Sequence, residues 1–351
     1  MDASGHGAGP SADGENAEGA ADRGSAAGAG PSADGENAEG AAGAIDGARA
    51  AVARSVAKAV AIAEARPGAL LVVVGPTASG KTDVAIGAAE ALDGEIVSAD
   101  SVQVYRHFDV GSGKPSASER ARAAHHLVDV ADPLEPIDAA RFVALADRAI
   151  ADIQARGRRP VVCGGTFLWT RALLFGLADA PAADAALRRA LMDEAARDGR
   201  AALHARLAAV DPASAARLHP NDFVRVSRAL EVFALTGRPQ SEGHGAHGFA
   251  RARHDAVLVA VERPPAELDA RIAARVDGWL ASGWIDEVRG LVARGYRDAR
   301  AMGSVGYRQV AMHVDGQCPE PELAASIVRA TRVFARRQRT WLRRAPDLVY
   351  V

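Results

Sequence analysis

The chain has 351 residues, 48% of them hydrophobic and 25% charged, which is ample for the buried core of one large or two modest domains. Its longest strongly apolar run, Ala69 to Val74, falls far short of the roughly 20 residues of a membrane helix. The early Asp2 argues against a signal peptide, and the only cysteines, Cys163 and Cys318, signal neither a zinc module nor a disulfide framework, so a cytoplasmic protein without membrane contact is expected.

The net charge of −2 hides an asymmetry, because residues 1–50 hold nine acids against Arg23 and Arg49 and the rest of the chain is positive. Within those first residues GAGPSADGENAEGAA occurs twice, at 7–21 and 28–42. Such a Gly/Ala/Ser/Asp/Glu tract buries too little apolar surface to offset its ordering entropy, so 1–50 reads as a disordered tail. The Ala-rich stretch Ile45 to Arg66 reads as a helix ending before Pro67-Gly68. The catalytic core is expected from 51 to 180. It opens on the apolar strand Leu70 to Val74, a Gly-rich turn and the helical pattern Asp83 to Leu92. Further strands are expected at Glu95 to Ala99, Pro160 to Cys163 and Ala256 to Val261, with helices between, the alternation of a parallel sheet covered by helices. Between about 181 and 248 strand signals vanish, which marks an inserted all-helical subdomain. The core resumes over 249–351 with the last strand and basic helices. From Ser326 to Leu342, Ile327, Phe334 and Trp341 recur at heptad spacing and define a docked stripe, while Arg329, Arg332, Arg336, Arg339 and Arg343 mark another face. That basic face suits a polyanionic partner or is a solvated surface.

The segment Gly75-Pro76-Thr77-Ala78-Ser79-Gly80-Lys81-Thr82 has the P-loop pattern in its meaningful place, after a strand and before a helix. Its backbone N–H groups and the helix N-terminus favour a diphosphate, Lys81 supplies a point charge, and the Thr82 hydroxyl suits Mg²⁺. Only three residues of the chain are lysine, against 39 arginines, so a lysine here is a choice of shape. Asp100 ends the second strand at the sheet edge where ligands of open α/β sheets bind. Two functional readings stand for it, a carboxylate toward Mg²⁺ or a general base; helix capping is the plain alternative. Gly164-Gly165-Thr166 reaches the same edge, but alone it reads as readily as a tight turn. His125 and His126 are adjacent and favour structural hydrogen bonding over shared ligation.

Taken in order, GPTASGKT (75–82), SADSVQVYR (98–106), DVGSGKP (109–115), GGTFLW (164–169), HPNDFVRVSRALEV (219–232), RIAARVDGWLASGWIDEV (271–288), SVGYRQ (304–309) and ARRQRTWLR (335–343) resemble the tRNA dimethylallyltransferase family from about Leu70 to Arg344. The resemblance implies a P-loop NTPase-like α/β fold with a helical insertion, and an enzyme that moves a dimethylallyl group from its diphosphate to N6 of the adenosine beside the anticodon, tRNA position 37. It implies that the P-loop cradles dimethylallyl diphosphate with Mg²⁺ at Thr82, that Asp100 is the base, and that Thr166 and Arg275 help hold the diphosphate. It further implies tRNA contacts at Asp100, Ser101, Val102 and Gln103, at Arg188, at Val224, Arg225, Val226, Ser227 and Arg228, and at Gly303, Ser304, Val305, Gly306, Tyr307 and Arg308, by a monomer gripping one anticodon stem-loop. Trp169 stands where the family commonly has Tyr, and Arg336 where Lys is common.

Overall fold

The computed structural model of the protein describes residues 33–178, 180–247, 252–345 and 347–351. The chain separates into two units, Met1–Ala48 and Arg49–Val351. Of the expected tail, residues 1–32 lie outside the described residues. From there the reading is corrected: helix α1 (Ala33–Glu64) starts inside the second repeat, where alanines and glutamates follow Pro31 and carry helix propensity.

In the second unit the chain runs β1 (Leu70–Val74), α2 (Lys81–Ala91), β2 (Gly94–Ser98), α3 (Ala117–Arg122), β3 (His125–His126), α4 (Ala139–Ala155), β4 (Arg159–Gly164) and α5 (Phe167–Phe175). Among the described residues five helices follow without a strand: α6 (Ala185–Asp198), α7 (Arg200–Val210), α8 (Pro212–Arg217), α9 (Phe223–Thr236) and α10 (Gln240–His247). Then come β5 (Ala256–Ala260), α11 (Pro265–Ala281), α12 (Trp284–Ala293), α13 (Tyr307–Val314), α14 (Glu320–Leu342) and β6 (Leu348–Tyr350). Strand pairing is parallel throughout, in the order β3-β2-β4-β1-β5-β6.

All five residues of β1 are buried, as expected of a central strand covered on both faces. Alternate residues separate into two cores. Leu71, Val73, Val161 and Val259 pack with Val84, Ala85 and Ile86 of α2 and Ala59 and Ala63 of α1. Leu70, Val72 and Val162 pack on the other face with Phe142, Trp169, Leu173, Trp284, Tyr307 and Ile327. The chain leaving β1 therefore turns to one face and the chain leaving its neighbour β4 turns to the other, which opens a crevice at their carboxyl ends.

Helices α6 to α9 keep a small core of their own, with Leu191, Leu203, Leu207, Val226 and Leu230 at its centre. Two strands escape sequence reading. β3 is two residues held on the edge by β2, and β6 is three residues paired Leu258↔Leu348 to Ala260↔Tyr350; each is too short to show a period of its own. The docked stripe expected on α14 is also corrected. Leu323, Ile327, Ala335, Gln338 and Leu342 are its buried residues, Phe334 is 39% exposed, and Trp341 is half-buried, stacked on Phe167 at 4.4 Å between ring centroids.

Candidate active site

A cavity of about 450 Å³ occupies the crevice. Its floor is the loop from β1 into α2. A Cβ on Gly75 would stand 2.8 Å from the Val261 carbonyl oxygen, so only glycine leaves the strand this way. Ala78 and Gly80 take left-handed backbone conformations, φ 65° and 89°, a strain uncommon for alanine. The outward carbonyls that result are held: Arg271 Nε donates to Ala78 O at 2.8 Å and Arg263 Nε to Ser79 O at 3.1 Å. Thr77, Ala78, Gly80, Lys81 and Thr82 line the cavity, while Ser79 is fully buried and Gly75 and Pro76 lie behind the loop. Burial pushes the Lys81 ammonium below the ordinary lysine range, an effect strengthened by Arg275 and opposed by Asp100.

The end of β2 supplies Asp100. Its Oδ1 accepts from the N–H groups of Val102 at 2.9 Å and Gln103 at 3.2 Å, which leaves Oδ2 for chemistry in the cavity that Asp100 lines. One oxygen of this carboxylate thus caps the turn after β2 while the group as a whole lines the cavity. The end of β4 supplies Thr166, whose Oγ1 accepts from Ser101 N at 3.1 Å and whose hydroxyl donates to Ser101 Oγ at 3.3 Å. Arg275 of α11 completes the wall, its guanidinium carbon 5.4 Å from the Trp279 ring centroid. More than a third of this side chain is open to solvent, so the lowering of its pKa by surrounding protein and Arg271 is largely screened. Among the described residues, no group of three His, Cys, Asp or Glu is arranged to hold a metal ion, and no helix is long and apolar enough to cross a membrane.

The remaining expected residues divide. Ser101, Val102, Gln103, Gly303, Ser304 and Val305 line the same cavity, though the Gln103 amide is engaged with the loop carbonyls Ser112 O and Gly113 O. Gly306 is buried against Trp284, and Tyr307 is 0% exposed with its hydroxyl donating to Glu287 Oε1 at 2.6 Å, so neither residue presents a surface to RNA. Arg308 is exposed beside Arg297 and Arg300 in a neighbouring cleft. On α9 the helical period turns Val224 and Arg225 outward and buries Val226 and Ser227, which corrects the contact expected of the last two. Arg188 and Arg228 converge on Glu231, itself 0% exposed: Arg188 donates from Nε at 2.9 Å and Nη2 at 3.0 Å, Arg228 from Nη1 at 2.5 Å. Their first duty is to hold the insertion together. His126 bonds to Glu95 and His125 to Ala123 O, structural partners in both cases.

Trp279 and Trp284, which the sequence offers as base-stacking or core residues, also line the cavity, as do Thr331, Phe334 and Gln338, which sequence reasoning missed. For Gln338 a signal existed: it is the one uncharged polar residue in ARRQR, and it lies three and four residues from the buried Ala335 and Leu342.

Comparison with known proteins fits this geometry. A family model described as IPP transferase matches residues 103–345, and one described as isopentenyl transferase matches 68–129. The tRNA dimethylallyltransferase of Sorangium cellulosum (strain So ce56) is 67% identical over 282 residues, covering 80% of this chain and 90% of that protein. The chain belongs to the tRNA dimethylallyltransferase family. It is by descent an enzyme of the prenyl-transferring kind. A second member, from Anaeromyxobacter dehalogenans (strain 2CP-C), is 55% identical over 282 residues, with coverages of 80% and 94%. Among solved structures, the tRNA isopentenylpyrophosphate transferase of Bacillus halodurans superposes with a TM-score of 0.60 at 35% identity, covering 81% of this chain and 90% of that one. A eukaryotic dimethylallyltransferase caught acting on tRNA gives 0.66 at 26% identity, with coverages of 78% and 69%.

Proposed function

We propose that this chain transfers the dimethylallyl group of dimethylallyl diphosphate to N6 of adenosine 37, beside the anticodon, in tRNAs that read codons starting with U. One observation carries the reading: three neighbouring strand ends bring an anion-cradling loop, the free Oδ2 of Asp100 and the hydroxyl of Thr166 around one cavity whose wall holds Arg275. The N6–C1 bond forms as the C1–O bond of the allyl diphosphate breaks; the electron pair leaves on the diphosphate and the N6 proton passes to Asp100. The loop N–H groups, Lys81 and Arg275 gather the charge that develops on the departing oxygen. Asp100 orients the amine and accepts its proton, a role worth ~10² to 10⁴ in rate.

The donor set fits Mg²⁺, which commonly takes one or two protein oxygens together with substrate phosphates and water. The Thr82 hydroxyl lines the cavity and would supply such an oxygen, which leaves Asp100 Oδ2 to the amine. Bound there, the ion would add Lewis-acid stabilisation of the leaving diphosphate. The adenine must leave its stack to reach a cavity of this depth, and exposed arginines such as Arg225, Arg308 and Arg343 suit the phosphates of an anticodon stem-loop. The protein works as a cytoplasmic monomer.

The test is incubation of the protein with labelled dimethylallyl diphosphate and total tRNA, with ATP and AMP as competitors. Label should enter tRNA at adenosine 37 and resist both nucleotides. Label in AMP, or turnover of ATP without transfer, would overturn the assignment.

A further inference from the structure

β1 and β4 are paired up to Val74↔Gly164, and beyond that point their chains diverge to opposite faces of the sheet. The gap is bridged from a third element. Gln338 of α14 is 4% exposed; its Oε1 accepts from Thr77 N at 2.9 Å and its Nε2 donates to Gly165 O at 2.9 Å. A carboxamide has the donor and acceptor of a peptide group, so the side chain prolongs a ladder that the backbone cannot. Its orientation follows from its partners, since an N–H needs the oxygen and a carbonyl needs the nitrogen. Gly165 is cut to this contact: a Cβ there would lie 2.7 Å from Gln338 Nε2. The chain of bonds continues through Thr166 to Ser101, next to Asp100.

We infer that Gln338 is a positioning residue that fixes the diphosphate loop in register with the loop bearing Thr166 and, through it, with Asp100. This rests on the proposed transfer reaction. By engaging Thr77 N–H, Gln338 also confines the anion cradle to the amides that follow. The loop that holds the leaving group and the base follow different strands, β1 and β2, so their separation depends on this bridge and not on either strand alone.

Two variants test it. Gln338→Met fills the same space without either hydrogen bond, and Gly165→Ala keeps the glutamine but pushes its amide away. For each, kcat, KM for tRNA, KM for dimethylallyl diphosphate and the affinity for inorganic pyrophosphate are measured. Misplacement of reacting groups by about 1 Å costs roughly 10² in rate, so kcat should fall about 10- to 100-fold and pyrophosphate affinity several-fold, with KM for tRNA within about twofold of wild type. Because both changes remove one bridge, the double variant should be no worse than the poorer single one. A folded Gln338→Met enzyme with wild-type kcat and pyrophosphate affinity, or losses that multiply in the double variant, would overturn the inference. Should Gln338→Met fail to fold, Gly165→Ala carries the same expectations. A wild-type protein that transfers nothing would instead sink the proposed reaction, while pyrophosphate affinities would still report on the bridge.

Discussion

Asp100 has one oxygen engaged in its turn and is proposed to use the other as a base, and two substitutions separate the two roles. In Asp100→Asn the side-chain oxygen still accepts from Val102 N and Gln103 N, the bonds now at 2.9 and 3.2 Å, while the second position becomes an NH₂ unable to take a proton. Asp100→Ala removes both. A hydrogen bond to a charged acceptor is worth about 1.5–3 kcal/mol and a neutral one about 1, so Asn should cost about 1 kcal/mol of stability and Ala about 2–3 kcal/mol. For a chain of this size that is about 2–4 °C per kcal/mol in melting temperature. Turnover should behave otherwise. Both variants lose the proton acceptor and should fall by ~10² to 10⁴, about 3–5 kcal/mol of barrier, with tRNA affinity retained. Single-turnover transfer of labelled dimethylallyl groups, set beside melting curves, reads both quantities. An Asn variant within a few-fold of wild-type turnover would show that the carboxylate only caps its turn, and the mechanism above would fail.

Glu231→Ala should destabilise the helical insertion by about 2–4 kcal/mol, because it strands two guanidinium groups; the value lies toward the lower end since Arg188 is about half exposed (49%) and able to rehydrate. Amide exchange in α6 and α9 should quicken while pyrophosphate binding stays; unchanged exchange would refute the role. Burial opposes ionisation of Glu231, but the bonds from Arg188 and Arg228 outweigh it and hold the carboxyl below 4.5. Its stabilisation is therefore complete above pH 4.5 and drains as pH falls through the depressed value, visible as an acid limb in a urea titration that Glu231→Gln lacks. Arg343 is exposed, with Thr340 Oγ1 at 3.2 Å, whereas Arg339 lies within 3.5 Å of Glu262. Arg343→Glu should thus weaken tRNA binding more than Arg339→Glu, most at low salt; a filter-binding series with equal affinities at every salt would make the basic face a solvated surface.

Much of this is legible in the sequence because local rules agree. An apolar run, the GPTASGKT turn and a helical pattern can be satisfied together only as strand, anion loop and helix, and β1 and α2 follow within a residue or two. The motif order placed Asp100 and Thr166 at one sheet edge, where they stand. What escaped depends on partners remote in sequence. β3 and β6 exist through their neighbours. Gln338 interrupts an apolar face and makes sense only beside Thr77 and Gly165, 261 and 173 positions away. Phe334 sits at heptad distance from Ile327, yet it faces the cavity, a position that the helical repeat does not encode. Tyr307, expected at RNA, is buried since α13 docks on Glu287 and Trp284.

Lys81 links the electrostatics of the cavity to diphosphate binding. The surrounding protein and Arg275 together favour its neutral form, so its pKa falls below 10.5 despite Asp100. In the interval from that lowered value to 10.5 the unfolded chain binds more protons than the folded one, and stability of the ligand-free protein should rise with pH. A diphosphate reverses the preference, since its charge favours the ammonium. Affinity for pyrophosphate should be level below the lowered pKa, decline as pH rises through it, and be accompanied there by proton uptake. Cys163, which also lines the cavity, does not confuse the window, because burial pushes its thiol up to about 11. Calorimetry in two buffers of different ionisation enthalpy measures the uptake directly. Lys81→Met should abolish it and bind pyrophosphate weakly at every pH; an uptake that survives in this variant would assign the proton to another group and leave the lysine charged throughout.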